Sequence, residues 1–192
     1  LAQEIIEQAH RGKPVIGICG GYQMLGEMIL DPAHVESAEY QAHGLGLLPV
    51  TTTFFPVKST HQVRACVIAG RGLLQEASGL PISGYEIHMG TTNGANNVAP
   101  FRIDERSRKA CQDLDGCLSA DGNVLGTYLH GLFHNEALRR SILSQLAARK
   151  GVAFCPTCQV LSKEEQYDRL ADLVRNSLDM ELIYRTVNLK SL

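Results

Sequence analysis

The stretch from Pro14 to Gly26 constrains the fold more than any other part of the chain. It reads Pro-Val-Ile-Gly-Ile-Cys-Gly-Gly-Tyr-Gln-Met-Leu-Gly, a short apolar run followed by a helical pattern. A strand ending at Ile18 and a helix beginning after Cys19 enclose a turn so sharp that only glycine fits around the cysteine. The pattern predicts a nucleophile elbow, a strand–turn–helix unit that exposes a nucleophile, here with cysteine in place of serine.

The predicted elbow has chemical consequences for Cys19. A helix N-terminus beneath the sulfur favours the thiolate, because the helix dipole and the free N–H groups stabilise negative charge. The backbone N–H of Gly20 is then placed to bind the oxyanion of a tetrahedral intermediate. The alternative is an ordinary cysteine at a βα turn, for which a Gly-Gly pair is also typical. The pentapeptide around Cys19 supports both interpretations about equally.

A second segment, residues 122–133, contains a candidate base. It indicates a strand from Val124 to Leu129 that ends at His130 and Gly131. A histidine at a strand end beside a flexible residue is well placed to project into a cleft, and a cysteine nucleophile needs such a base nearby in space. The chain contains 7 histidines. Taken alone, the segment therefore favours a structural histidine over a catalytic one.

Three separated segments, residues 17–26, 84–91 and 126–135, resemble class I (triad-type) glutamine amidotransferases in sequence and in order. Within that class they are similar to the amidotransferase domains of the cobyric acid synthase family, which acts in cobalamin biosynthesis. The resemblance extends from Gly12 to the segment 167–172. It implies an α/β fold of flavodoxin-like type, with a mainly parallel sheet flanked by helices on both faces.

The resemblance also implies roles for individual residues. Cys19 attacks the side-chain amide of glutamine, His130 acts as its base, and Gln23 helps to hold the substrate. No direct catalytic role follows for the residues of the second segment, whose expected positions line the cleft or pack against it: Tyr85, Glu86 and His88.

One position departs from the class pattern. Most triad amidotransferases carry a glutamate two residues after the histidine, where this chain has Leu132. The cobyric acid synthase branch is similar in retaining only the cysteine and the histidine. His130 still needs a group that selects its tautomer and stabilises its charged form. A backbone carbonyl, a water or another carboxylate could serve. Glu86 is one candidate, and a solvated strand residue is the alternative interpretation of Glu86.

The remaining pattern predicts further elements of an α/β domain. Alternating residues predict strands over 50–57 and 62–69, followed by a third over 84–89. Residues 91–100 indicate a loop, and Asp121-Gly122 indicates a hairpin turn. Helices are expected from Asn135 to about Lys150 and from Lys163 to about Ser177.

The chain begins at Leu1 within a helical pattern, whereas an open α/β sheet needs a strand before such a helix. We therefore interpret residues 1–192 as an N-terminally incomplete amidotransferase domain. The resemblance implies that an ATP-dependent synthetase domain, absent from this chain, uses ATP and Mg²⁺. There ammonia would amidate peripheral carboxylates of a corrinoid, adenosylcobyrinic acid a,c-diamide. No cofactor is expected on the chain itself.

Composition excludes several classes of partner. A net charge of −2 with both signs interspersed favours neither nucleic acid nor a membrane surface. The apolar runs are far shorter than the roughly 20 residues a bilayer requires.

The pair Cys155 and Cys158 is a lone CxxC without further ligands, so no metal site is expected. A free catalytic thiol argues for the reducing cytoplasm.

Two other functions remain open at this point. The first is an amidotransferase domain serving another acceptor, such as that of cobyrinic acid a,c-diamide synthase or of an enzyme that amidates a cell-wall lipid intermediate. The second is a catalytically inactive binding module, because the upstream loop that supplies the other oxyanion donor in the resembling family is absent here. One such donor contributes roughly 10²–10³ in rate.

Overall fold

The structure is a computed structural model that describes residues 1–94, 98–154 and 163–187. The chain divides into two compact units, Leu1–Phe154 and Cys155–Leu192. The Cys155/Cys158 pair lies outside the described residues. None of the described helices is long and apolar enough to cross a bilayer.

The first unit alternates short helices with strands at its start and is then mostly β. Its elements are α1 (Ala2–His10), β1 (Val15–Ile18), α2 (Gly20–Leu25), β2 (Met28–Leu30), β3 (Gln41–His43), β4 (Thr51–Val67), β5 (Pro81–Asn93), β6 (Phe101–Arg106), β7 (Lys109–Asp115), β8 (Cys117–Leu118), β9 (Val124–Thr127) and α3 (Glu136–Arg149). Two 3-10 turns, Gly72–Leu74 and Leu132–His134, complete it. The second unit contains α4 (Lys163–Ser177) and α5 (Met180–Thr186).

The strands form two sheets. The first has the order β1-β9-β8, with β1 and β9 parallel and Ile18 opposite Thr127. The second has the order β3-β2-β4-β6-β7, and β5 pairs with the other edge of β4. The carboxyl ends of β1 and β9 therefore lie side by side, with Cys19 and His130 following them in the chain.

The α/β class is confirmed, but the expectation of a mainly parallel sheet is wrong. Among the strands of the described residues, two neighbouring pairs are parallel and five are antiparallel. The reason lies in the connections, since parallel neighbours need a long crossover whereas antiparallel ones can be joined by two residues. Ser107 and Arg108 join β6 to β7 with φ of 46° and 67°, the left-handed backbone of a tight hairpin.

Several predicted elements are confirmed, namely β1, β5, the Asp121-Gly122 hairpin, α3 and α4. The strands expected over 50–57 and 62–69 are instead one strand, β4. Both halves pair with β5, and the register shifts between Thr53 and Lys58. Residues 91–93, expected in a loop, extend β5, while β2, β3, β6 and β7 were not predicted. The three-residue strands β2 and β3 are too short to show an alternating pattern.

Glycines hold the elbow against the sheet at specific points. A Cβ on Gly17 would lie 2.6 Å from Leu25 Cδ1, and a Cβ on Gly126 would lie 2.0 Å from the Tyr22 ring. Only glycine therefore fits at these two positions. At Gly20 and Gly21 an added Cβ meets no atom within 4 Å. The expectation that sterics demand glycine all around the cysteine is thus wrong for the two glycines after it.

Candidate active site

Cys19 lies at the end of β1 in a strained backbone conformation. Its φ is 55° and its ψ −116°, and α2 begins at the next residue. Its N–H donates to the carbonyl of Thr127 at 2.9 Å, and its carbonyl accepts from the N–H of Gln23 at 3.1 Å. A non-glycine residue held at positive φ costs about 1–3 kcal/mol and is typical of functional sites. The predicted strand–cysteine–helix geometry is present.

The side chain of Cys19 reaches across to β5. Its thiol donates to the carbonyl of Ile87, with the sulfur 3.3 Å from the oxygen. The sulfur is half-buried and is not bonded to another cysteine. The nucleophile candidate is thus held between the β1–α2 turn and β5.

His130 is held by the same strand. The backbone N–H of His130 donates to the carbonyl of Tyr85 at 2.8 Å, and its backbone carbonyl accepts from the Tyr85 N–H at 3.2 Å. The two rings stack with centroids 4.9 Å apart and planes 10° from parallel. Gly84 permits this close approach, because a Cβ there would lie 2.4 Å from the His130 carbonyl oxygen. Tyr85 and Ile87 are two residues apart, about 7 Å along a strand. β5 therefore brings Cys19 and His130 to one place.

The orienting group of His130 is not the residue two positions later. Leu132 is 1% exposed and packs in the hydrophobic core. The Nε2 atom of His130 is buried and has no hydrogen-bond partner among the residues that the structure describes. A buried polar atom of this kind needs a partner, such as a substrate or water.

Glu86 is buried rather than solvated, which corrects the alternative interpretation of this residue. It is 2% exposed, and Arg106 binds both carboxylate oxygens, Nε to Oε2 at 2.8 Å and Nη2 to Oε1 at 3.1 Å. Arg106 also pairs with Asp113. Hydrogen bonding to Glu86 raises the pKa of Arg106 further above its usual range. Both oxygens of Glu86 are therefore engaged by the guanidinium.

His88 lies on the same face of β5 as Glu86. Its ring stacks on Tyr128 with centroids 3.9 Å apart, and its Nδ1 lies 3.2 Å from the carbonyl of Gly90. That contact makes Nδ1 the protonated nitrogen. Burial lowers the pKa of His88, and the charge of Glu86 and the contact with Gly90 partly offset the effect. His88 is therefore a packed histidine whose charged form is disfavoured.

Gln23 belongs to a polar network inside the elbow. Its amide nitrogen lies 3.2 Å from the carbonyl of Met89 and 3.2 Å from the hydroxyl of Tyr128. The network continues from Tyr128 to Thr92 and on to Thr52, each at 2.7 Å. Gln23 thus links α2 to β5 and to the residues after β9.

Asp115 was not singled out by the sequence. Its carboxylate is buried and accepts hydrogen bonds from Thr127 Oγ1 and from the N–H of Tyr128. Burial raises the pKa of Asp115 to about 6. Arg106 and Tyr128 were missed in the same way. All three depend on contacts between strands distant in sequence, for which a single chain carries no local signal.

A solved structure shares this architecture. The structure of PurLQS from Thermotoga maritima superposes with a TM-score of 0.51 at 20% identity, covering 76% of this chain and 68% of that one. At this identity the likeness shows the fold alone. The shared fold is of the α/β class.

The sequence identifies the family within this class. Residues 1–138 match the CobB/CobQ-like glutamine amidotransferase domain, and the chain belongs to that family. Glutamine is accordingly the substrate that the domain implies.

Proteins named cobyric acid synthase are similar over nearly the whole chain. Those of Dehalococcoides mccartyi and Alkaliphilus metalliredigens are 44% and 45% identical over 98% and 96% of it. That of Streptococcus sanguinis is 44% identical over 98%. The chain spans only 36–38% of the length of these curated relatives.

Proposed function

We propose that this chain is the glutamine-hydrolysing part of a cobyric acid synthase. It would release ammonia for ATP-dependent amidation of peripheral carboxylates of adenosylcobyrinic acid a,c-diamide. The acceptor is supported by the name that the relatives carry. The chemistry is supported by one observation above all: residues two apart on β5 hold Cys19 and His130, through the Ile87 carbonyl and the Tyr85 backbone.

In the proposed first half-reaction, the Cys19 thiolate adds to the side-chain carbonyl carbon of glutamine. The N–H of Gly20 stabilises the oxyanion, because the first residue of a helix has no intrahelical acceptor for this group. When the intermediate collapses, the C–N bond breaks and the His130 imidazolium gives its proton to the leaving nitrogen. Ammonia departs, and a γ-glutamyl thioester remains on Cys19.

In the second half-reaction, water adds to the thioester carbon while neutral His130 accepts a proton from it. The C–S bond breaks, glutamate leaves and the Cys19 thiolate is restored. Gln23 is proposed to help hold the substrate glutamine. Its amide nitrogen also donates to the Met89 carbonyl and the Tyr128 hydroxyl, which fixes α2 against β5. Tyr85 is proposed to line the cleft.

ATP and Mg²⁺ are proposed to act in the synthetase part of the protein. Within residues 1–94, 98–154 and 163–187, no group of three or more His, Cys, Asp or Glu side chains could hold a metal ion. No step assigned to this chain passes through either cofactor. A cytoplasmic location is part of the same proposal, because a reducing compartment keeps thiols free.

The first prediction tests the nucleophile. In the natural full-length protein, Cys19→Ala is expected to reduce glutamate release from glutamine by at least about a thousandfold, because no other group can form the thioester. Release is measured with ATP and the corrinoid substrate present. Cys66→Ala is the control, since Cys66 is a half-buried cysteine on β4 whose thiol contacts the Val67 carbonyl.

Two outcomes contradict the proposal. One is unchanged glutamate release by Cys19→Ala. The other is an absence of release by the unaltered protein under these conditions.

A further inference from the structure

We propose that Tyr85 is the positioning residue of His130, taking the role that a glutamate two residues after the histidine has in other triad amidotransferases. Its ring fixes the plane of the imidazole and stabilises the imidazolium form. The inference rests on the proposed function, because it assigns a partner to the base of that mechanism.

Backbone contacts hold the Tyr85 and His130 rings against each other. The Tyr85 and His130 rings are 10° from parallel with centroids 4.9 Å apart. Reciprocal backbone hydrogen bonds of 2.8 and 3.2 Å join the two residues as an isolated antiparallel bridge. The stack is thus enforced by two backbones and by the close approach that Gly84 allows. Rotation of the imidazole out of this plane would lose the ring contact.

The other candidates for this role are apolar or already engaged by other groups. Leu132 is apolar and lies in the core. The carboxylate of Glu86 is bound through both oxygens by Arg106. His88 directs its Nδ1 to Gly90 and stacks on Tyr128, and its charged form is disfavoured by burial. Of these side chains, only that of Tyr85 lies against the His130 ring as a stacking partner.

The Tyr85 ring also stabilises the charged form of the imidazole. The face of an aromatic ring attracts a cation whose centre lies within about 6 Å of the ring centroid, and an imidazolium meets that condition here. The attraction favours charged His130, the form that gives its proton to the leaving nitrogen of glutamine. Arg106 and Glu86, the residue after Tyr85, form an opposite-charge pair. His88 interacts electrostatically with His130, and the N–H of His134 donates to the carbonyl of Gly131, the residue after His130. The thiol of Cys19 contacts Ile87, two residues from Tyr85.

Tyr85 is also suited to substitution without loss of the fold. Its side chain is 38% exposed, and its contacts to His130 through the backbone do not depend on side-chain identity. Tyr85→Leu removes the ring, Tyr85→Val removes it with retained strand propensity, and Tyr85→Phe keeps the ring without the hydroxyl.

Removal of the Tyr85 ring is expected to change the pH profile of glutamine hydrolysis by the full-length protein. In Tyr85→Leu and Tyr85→Val, the basic limb of the pH profile of kcat/KM is expected to move to lower pH by about 0.4 to 1.5 units, because the charged imidazole loses the attraction of the ring. The rate at the optimum is expected to fall between about two- and thirtyfold. Tyr85→Phe is expected to retain both the pH profile and the rate of the unaltered protein. Tyr40→Leu is the control, because Tyr40 is another exposed tyrosine of the first unit.

A second readout does not require turnover. Alkylation of Cys19 by iodoacetamide is expected to be slower at neutral pH in Tyr85→Leu, because a charged imidazole nearby favours the reactive thiolate. His130→Ala gives the limit of that decrease. If the unaltered protein releases no glutamate, the proposed function fails, whereas the alkylation profile still tests the Tyr85–His130 coupling.

Two results overturn the inference while leaving the proposed function intact. The first is a Tyr85→Leu protein with the unaltered pH profiles and only a higher KM, which would leave Tyr85 with its cleft-lining role alone. The second is a Tyr85→Phe protein that behaves like Tyr85→Leu, which would assign the role to the hydroxyl.

Discussion

Cys19 shows how neighbouring groups hold a single strained residue. Its left-handed backbone is held from both sides, by the Thr127 carbonyl on its N–H and by the Gln23 N–H on its carbonyl. The strained conformation directs the thiol to the Ile87 carbonyl. A residue held in this way keeps one geometry, which a nucleophile needs in order to meet a bound amide at a fixed angle.

Asp115 gives a prediction at the same scale. Its pKa is raised by burial from 3.8 to about 6, so the folded protein binds this proton more tightly than the unfolded chain. Its contribution to the free energy of unfolding is therefore complete below about pH 3.8 and is lost as the pH rises to about 6.

Asp115→Asn cannot lose this proton. Between about pH 4 and pH 6, the free energy of unfolding of the unaltered chain is expected to fall relative to that of Asp115→Asn, by at most about 1.4 kcal/mol per pH unit. Urea denaturation across this range measures the difference. Asp104→Asn, which removes an exposed carboxylate on β6, is the control. Parallel pH dependences for the unaltered and Asp115→Asn chains would refute the assignment.

At the scale of elements, β5 organises the site. It pairs with β4 along most of its length and contributes the Tyr85 backbone and the Ile87 and Met89 carbonyls to the functional residues. Glu86 reaches past β4 to Arg106 on β6, which also pairs with Asp113 on β7. The ion pair thus connects β5 to two strands that it does not adjoin in the sheet.

Arg106→Met is expected to lower the free energy of unfolding by about 3–5 kcal/mol, because it leaves the Glu86 carboxylate buried without its cation. The double variant Glu86→Met/Arg106→Met is expected to recover most of this loss. Arg102→Met, which breaks an exposed ion pair on the same strand, should cost less than about 1 kcal/mol. Denaturant titration compares the three, and equal losses in Arg106→Met and Arg102→Met would contradict a structural role for the buried pair.

At the scale of the whole molecule, we propose that glutamine hydrolysis and amidation take place in different parts of the protein. The chain spans 37–38% of the length of the cobyric acid synthases from D. mccartyi and A. metalliredigens. We propose that ammonia made here is consumed in the synthetase part, so the two activities are separable by supplying ammonia directly.

In the full-length protein, Cys19→Ala is expected to abolish glutamine-dependent amidation of adenosylcobyrinic acid a,c-diamide and to retain amidation with ammonium chloride. ATP-dependent product formation with each nitrogen source gives the comparison, and Cys66→Ala should retain both activities. Loss of both activities in a folded Cys19→Ala protein would count against the division.

Local patterns made part of this architecture predictable. The elbow, the Asp121-Gly122 hairpin and α3 depend on turn chemistry and periodicity within a few residues. The resemblance identified Cys19 and His130 as candidates from short motifs. The two strands predicted over 50–57 and 62–69 became one strand, because pairing with β5 carries β4 through the intervening residues despite a register shift.

The sequence by itself therefore determined the strand–cysteine–helix unit, the α/β class and the family to which the chain belongs. Only the tertiary structure decided that the second sheet is mixed, that Glu86 is buried against Arg106, and that Tyr85 stacks on His130. The physical reason is the separation in sequence between the residues that interact. Turns and periodicities are set by neighbours in the chain, whereas ion pairs, ring stacks and strand order depend on residues that only the folded backbone brings together.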